Sequence, residues 1–254
     1  MTNILLSGCN GHMGKVITGI VAERENCKIC AGVDINTSSD NGYPVYSSFS
    51  EVKEKPDVII DFSHPSVLDN LLDYATKNSV PTVISTTGFS KEQIDKIHKA
   101  SEEVAIFFSF NMSLGINLLS QLAKTATKIL GDNFDIEIVE MHHNQKIDAP
   151  SGTALMLADA ISEELKNKPR YEYDRHSKRS KREKNEIGIH AVRGGTIVGE
   201  HEIIFAGHDE VIKLSHSAAS KEVFAVGSVN AAIFLADEKA GLYSMSDLIA
   251  KTQN

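Results

Sequence analysis

The chain has no run of about 18 consecutive apolar residues, so a membrane-spanning helix is excluded. It also lacks any surplus of positive charge. The 26 lysines and arginines are outnumbered by 34 acidic residues, giving a formal net charge of −8 over 254 residues. A balance this acidic argues against a nucleic-acid partner. The first apolar strand begins at Asn3, which leaves no room for a signal peptide, and a soluble cytoplasmic protein is expected. Cysteine is scarce: Cys9, Cys27 and Cys30 are an odd set, too few for a disulfide framework. Cys27-Lys28-Ile29-Cys30 has redox-pair spacing, but it runs into Ala31-Gly32-Val33 as a strand instead of opening a helix that lowers a thiol pKa. Both thiols are read as strand residues. A chain of this length can bury a sizeable core and suits one large or two smaller domains.

What is present begins with Asn3-Ile4-Leu5-Leu6-Ser7, a short apolar strand. Gly8-Cys9-Asn10-Gly11-His12-Met13-Gly14 follows at once, then a helix with Val16, Ile17, Ile20 and Val21 on one face. Residues 28–33 give the next strand, and it ends in Asp34. Strand, glycine turn, helix, strand and acid is the order of a dinucleotide-binding βαβ unit. Gly8 permits the tight turn, Gly11 lets backbone N–H groups approach a pyrophosphate, and Gly14 lets the helix pack close. Asp34, 20 residues after Gly14, is placed to accept hydrogen bonds from ribose hydroxyls. A carboxylate there disfavours a 2′-phosphate, and Ile35 and the uncharged residues 36–39 supply no compensating arginine. NADH is therefore the expected cofactor, with NADPH tolerated.

Strands and helices keep alternating to residue 110. Pro56-Asp57-Val58-Ile59-Ile60-Asp61-Phe62 reads as a strand buried on both faces. Residues 67–74 form a helix with Leu68, Leu71 and Leu72 along one side. Residues 81–85 are a strand, Ser90 and Gln93 make a capping box for the next helix, and residues 104–108 are a further strand. Such alternation implies a parallel sheet with helices on both faces and ligands beyond the carboxyl ends of the strands. Those ends carry the glycine turn, Asp34, Asp61, Ser85-Thr86-Thr87-Gly88 and Ser109-Phe110-Asn111-Met112. Asp61 is either a catalytic acid or, the preferred reading, an acceptor for a neighbouring loop.

After Asn111 the texture changes. Residues 113–130 make one long helix stopped by Gly131. In Phe134-Asp135-Ile136-Glu137-Ile138-Val139-Glu140, apolar and acidic residues trade faces as in a half-buried strand. Met141-His142-His143-Asn144-Gln145-Lys146-Ile147-Asp148-Ala149-Pro150-Ser151-Gly152-Thr153-Ala154 then leads into another helix. Two imidazoles and an ammonium beside the positive end of a helix suit an anionic ligand and supply proton donors. Adjacent histidines at a strand end point opposite ways, so a shared metal ion is not expected. The basic residues between 168 and 184 are interleaved with Glu172, Asp174 and Glu183 and read as a solvated mobile loop. Residues 187–193, 196–206 and 211–215 are strands. One face of their sheet is expected under the long helix, the other against another subunit. Residues after Ser220 return to helix, expected to rejoin the first domain without a strand of their own.

These residues resemble the dihydrodipicolinate reductase family over essentially the whole chain. The resemblance rests on Gly8 to Gly14, Asp61-Phe62-Ser63-His64-Pro65, Thr86-Thr87-Gly88-Phe89, Asn111 to Gly115, and above all the run from Glu140 to Ala154. It continues in Gly188 to Arg193, Ile197-Val198-Gly199-Glu200-His201 and the end of the chain. It implies an α/β protein with an N-terminal Rossmann-type doubly wound parallel sheet, residues 1–112 and 221–254. An α+β domain with a mainly open mixed sheet, residues 113–220, would bind substrate and build a homotetramer. Hinges near Met112 and Ser220 are implied.

The resemblance further implies that His142 and Lys146 donate the proton and that His143, Gly152 and Thr153 hold the substrate. Dinucleotide contacts are implied at Gly8, Cys9, Asn10, Gly11, His12, Met13, Asp34, Ser85, Thr86, Thr87, Ser109, Phe110, Asn111 and Met112. The implied reaction is reduction of 4-hydroxy-tetrahydrodipicolinate, a cyclic dicarboxylate, in diaminopimelate and lysine biosynthesis. Hydride goes to ring C4 of the dehydrated species, and the resulting enamine takes a proton. Imidazole suits that step, and Lys146 is expected to act chiefly by stabilising developing negative charge. Ile35 replaces the arginine of many relatives, Ser85 a glycine and Met112 a phenylalanine. Two rival readings are another two-domain oxidoreductase, acting on a sugar or an aspartate-derived aldehyde, and a nucleotide-sensing regulator without turnover. Neither needs two histidines and a lysine before Pro-Ser-Gly-Thr.

Overall fold

The computed structural model describes residues 1–38, 40–109 and 111–252. Along the chain run β1 (Thr2–Ser7), α1 (His12–Ala22), β2 (Cys27–Val33), β3 (Val45–Tyr46), β4 (Val58–Asp61), α2 (Leu68–Asn78), β5 (Thr82–Ile84), α3 (Lys91–Ala100) and β6 (Ala105–Phe108). Then come α4 (Leu114–Leu130), β7 (Asp135–His142), α5 (Gly152–Ser162), β8 (Arg170–Glu172), β9 (Glu186–Arg193), β10 (Gly199–Ala206) and β11 (Val211–Ala218). Finally come α6 (Glu222–Leu235), β12 (Gly241–Tyr243) and α7 (Met245–Thr252). They form two compact units: Met1–Leu114 with the segment from Glu222 onward, and Gly115–Lys221.

The first unit is a seven-stranded sheet in the order β12-β6-β5-β4-β1-β2-β3, parallel throughout. Its central strands are apolar on both sides because helices cover both. Ile4, Leu6 and Ile60 pack with Ile17 and Val21 of α1 and Val229 and Ala232 of α6. Leu5 and Ile59 face the other way, against Leu68, Leu71 and Ala75 of α2 and Ile97 of α3. Each fully buried side chain of this size contributes about 1.5–3 kcal/mol. The capping box of Ser90 and Gln93 is present, both halves made. The final segment does own a strand, against expectation. Residues Gly241–Tyr243 add β12 to the sheet edge alongside β6.

The second unit is a mixed five-stranded sheet, β11-β10-β7-β9-β8. β10 runs antiparallel to both its neighbours, and β9 runs parallel to β7 and β8. One face is covered by two helices, not the long one alone. Ile116, Leu119 and Ala123 of α4 and Leu157, Ala158 and Ile161 of α5 pack on Ile136, Ile138, Ile187, Ile189, Ile203 and Phe205. Gly131, in the left-handed region at φ 52°, follows the last turn of α4.

The basic segment is not a loop of unspent charge. Arg182 binds the Asp135 and Glu137 carboxylates and donates to the Ile136 and Glu186 carbonyls. Arg175 bridges Glu137 and Glu186, and Lys178 pairs with Glu172. Acidic side chains on β7, β8 and β9 fold it against the sheet edge.

Candidate active site

At the carboxyl end of β1, Gly8 takes φ +78°, and its N–H donates to Val33 O at 2.8 Å. Any side chain there meets Phe62 O, 2.4 Å from the position of a Cβ. Gly14 is as constrained, since a Cβ there lies 2.2 Å from Gly8 O. The first turn of α1 is therefore seated directly on the glycine turn. Gly11 is its N-cap, with no side-chain cap, so the helix presents backbone donors to an anion. A cavity of about 930 Å³ opens here, lined by Gly8, Asn10, Gly11, Asp34, Ile35 and Asn36 among others. Its size and its glycine-lined floor fit the pyrophosphate and adenosine end of a dinucleotide.

Asp34 does more than face this cavity. One carboxylate oxygen accepts the Asn10 N–H at 2.9 Å and the other the Asn36 N–H at 3.0 Å. The acid thus braces the glycine turn, and each oxygen keeps a lone pair for a ribose hydroxyl.

The other cofactor candidates are placed variously. Cys9 is buried, and burial and then Asp34 push its thiol up to about 11, so its side chain belongs to the core. Met13 packs against the same core, and His12 begins α1 exposed. Ser85 Oγ lies 3.1 Å from Ser228 Oγ, and Thr87 is exposed. Ser109 Oγ donates to Asn111 O at 2.9 Å, and the buried Met112 presses its carbonyl on Gly227. Phe110 lies outside the described residues. Among the described residues just named, none lines the cavity.

Asp61 is an acceptor for neighbouring loops. It takes the Ser63 hydroxyl at 2.5 Å and the Thr86 hydroxyl at 2.6 Å, holding together the ends of β4 and β5. Burial pushes its carboxyl up against the pull of those hydroxyls.

In the second unit, strand alternation puts Ile136, Ile138, Glu140 and His142 on the helix-covered face of β7. Glu140 has no exposed surface. Its Oε2 lies 2.6 Å from His142 Nδ1, and its Oε1 accepts the Ser151 N–H at 2.9 Å. Arg193 of β9 clasps both oxygens, at 2.8 and 2.7 Å. Burial opposes ionisation of Glu140, but Arg193, His142 and the Ser151 N–H hold its carboxyl below the usual range. On the other side, His201 of β10 stands edge to face with His142, ring centroids 5.2 Å apart. Burial, then the His142 charge, lowers His201 to about 4, so it is neutral at physiological pH.

The chain then turns into α5, capped by Ser151, whose Oγ accepts the Ala154 N–H at 3.2 Å. His143 bonds through its carbonyl to Lys146 N at 3.1 Å. The Lys146 ammonium sits 2.8 Å from Asp148 Oδ1. That carboxylate is held below its usual range by Lys146 first, with the Gly152 backbone N–H a smaller influence in the same direction. Lysine and helix start thus converge on one anionic group, supplied here by the chain itself. Thr153 follows in the first turn of α5. Among the described residues, no group of three His, Cys, Asp or Glu side chains is placed to hold a metal.

Sequence reasoning gave no role to Glu140, Asp148, Arg193 or His201. The signal for Glu140 was its place on the apolar face of an alternating strand, two residues before a histidine.

The N-terminal dihydrodipicolinate reductase model matches residues 2–112 and the C-terminal model residues 115–249. The chain belongs to the dihydrodipicolinate reductase family. The 4-hydroxy-tetrahydrodipicolinate reductase of Caldanaerobacter subterraneus subsp. tengcongensis is 55% identical over 251 residues, 99% of each chain. That of Clostridium novyi is 49% identical over the full length of both. Among solved structures, the dipicolinate-bound dihydrodipicolinate reductase from Paenisporosarcina sp. TG-14 superposes with a TM-score of 0.79 at 28% identity, covering 96% of this chain and 97% of that one. Family membership and the parallel-plus-mixed sheet architecture agree with the sequence reading.

Proposed function

We propose that this member of the family catalyses the NAD(P)H-dependent reduction of 4-hydroxy-tetrahydrodipicolinate to tetrahydrodipicolinate, the step of diaminopimelate and lysine biosynthesis for which its relatives are named. The observation that carries this reading is the pairing of Lys146 with a carboxylate beside the start of α5, a few residues along the chain from the buried imidazole of His142. A dicarboxylate needs such donors, and the reduction consumes one hydride and one proton while releasing water.

His142 is the proton donor, giving the proton it carries at Nε2 while Nδ1 stays bonded to Glu140. Lys146 binds a substrate carboxylate and stabilises negative charge developing on the ring. His143 and the first-turn amides at Gly152 and Thr153 hold the substrate in place. The dihydronicotinamide, when bound, supplies the hydride. The turn from Gly8 to Met13, Asp34, residues 85–87 and residues 109–112 would hold that cofactor. Asp34 supports NADH over NADPH, because its neighbours Ile35 and Asn36 are uncharged and Lys77, on the lining of the same cavity, is paired with Asp73.

The outer face of the mixed sheet carries Val139, Met141, Val192 and Ile204, half-buried or exposed. That surface supports assembly of a homotetramer through the second unit. Light scattering on the purified chain reads the oligomer directly.

Absorbance at 340 nm, with freshly generated 4-hydroxy-tetrahydrodipicolinate, tests the activity. Oxidation of NADH faster than NADPH is expected. No oxidation of either nucleotide overturns the proposal.

A further inference from the structure

Glu140 is the most completely bonded buried carboxylate of the second unit, and no step assigned above uses it directly. Building on the reading of His142 as proton donor, we infer that Glu140 is the positioning residue that holds His142 with its hydrogen on Nδ1 and joins it to the start of α5. Three observations carry this.

The first is the donor set. The four donors on Glu140 come from three places: its own strand (His142), the neighbouring strand (two from Arg193) and the N-cap of α5 (Ser151). Moving the carboxylate would disturb the imidazole and the helix start together. The second is chemical type. An ionised carboxylate only accepts hydrogen bonds, so a 2.6 Å contact with His142 Nδ1 requires the hydrogen to lie on that nitrogen. The transferable proton then has one seat, Nε2. Gly199 makes room there, since a Cβ at that position would lie 3.1 Å from Nε2. The third is charge balance. Arg193 clasps Glu140 through two nitrogens, so the carboxylate's charge is already matched within the cluster. Its work on His142 is orientation and tautomer, not added negative charge.

His201 completes the arrangement. Ser151 Oγ accepts the Ala154 N–H and also lies 3.2 Å from His201 Nε2. The neutral ring beside His142 thus pins the same N-cap from its far side.

The test uses the full chain, labelled with nitrogen-15, at a pH where the His142 ring is neutral. His142→Gln identifies the ring's signals by their loss. The wild-type protein is expected to show His142 in the Nδ1–H form, a result that needs no folded variant of Glu140. In Glu140→Gln the amide keeps an oxygen for Ser151 and Arg193 but turns its NH2 toward Nδ1. The ring is then expected to switch to the Nε2–H form. kcat should fall at least about ten-fold, and by no more than the roughly 10²–10⁴-fold that a general acid is worth, while the KM for substrate and the affinity for NADH stay at wild-type values. A wild-type His142 in the Nε2–H form overturns the inference. So does Glu140→Gln with wild-type kcat, or a loss of kcat with the tautomer unchanged. The reading of His142 itself fails separately, through full turnover in His142→Gln.

Discussion

Lys146 Nζ and Asp148 Oδ1 are 2.8 Å apart, and Lys146 first, then the Gly152 N–H, favours the ionised form of that carboxylate. An internal anion thus sits on donors proposed for the substrate. Asp148 is more than half exposed, and a pair in that setting is worth about 0–1 kcal/mol. A substrate carboxylate displaces it at little cost. Asp148→Asn is expected to lower the substrate KM by up to about five-fold, the factor equivalent to 1 kcal/mol, with kcat unchanged. Steady-state kinetics checks this, and a raised KM shows that Asp148 helps to bind substrate.

Gly199 supplies a second prediction. A methyl group 3.1 Å from His142 Nε2 is tighter than ordinary contact and must displace the ring or cover the nitrogen. Gly199→Ala is expected to cost about ten-fold or more in kcat, since misplacement by about 1 Å can cost 10²-fold. The glycine lies in the second unit, so nucleotide affinity, read by fluorescence titration, should not change.

His201 makes the second unit sensitive to acid. Its folded-state pKa is lowered from 6.5 to about 4, chiefly by burial. The unfolded chain therefore binds the extra proton first, and stability present above pH 6.5 is lost as pH falls toward 4, by about 3 kcal/mol. Melting curves of His201→Gln should be flatter than wild type across that window. Parallel curves contradict the assignment.

Asp61 acts with the opposite sign in the first unit. Its carboxyl is pushed up by burial, so its contribution is greatest at low pH and is lost as pH rises through its folded-state pKa. Asp61→Asn keeps one oxygen to accept from one of the two hydroxyls, and its NH2 donates to the other, whose oxygen can accept. Its Tm relative to wild type should improve as pH rises, and a deficit constant with pH would show that only the hydrogen bonds matter.

Much of the first unit is readable from local pattern. The glycine turn, the capping box and the doubly apolar strands each impose their geometry within a few residues. β12 was hidden because three residues carry no periodicity, and its strand identity comes from the exposed edge of β6. The basic segment reads correctly as an exposed loop, but its ion pairs were hidden because the partners, Asp135 and Glu137, stand 47 and 45 residues from Arg182. A charge run shows its sign in the sequence, not the carboxylates that meet it.

The candidate site divides in the same way. His142, Lys146 and Gly152 stand out because nitrogen donors cluster beside a helix start. The inward face of Glu140 follows from alternation, but burying a carboxylate there requires Arg193, 53 residues on. Cys9 illustrates the converse: a place inside the glycine turn does not say whether the side chain meets a ligand or the core.

The most direct measurement is a crystal structure of the chain soaked with dipicolinate, a planar dicarboxylate. One carboxylate is expected within hydrogen-bonding distance of Lys146 Nζ and the Gly152 N–H, with Asp148 displaced. A bound ligand that leaves the Lys146–Asp148 pair intact and touches neither donor contradicts the account.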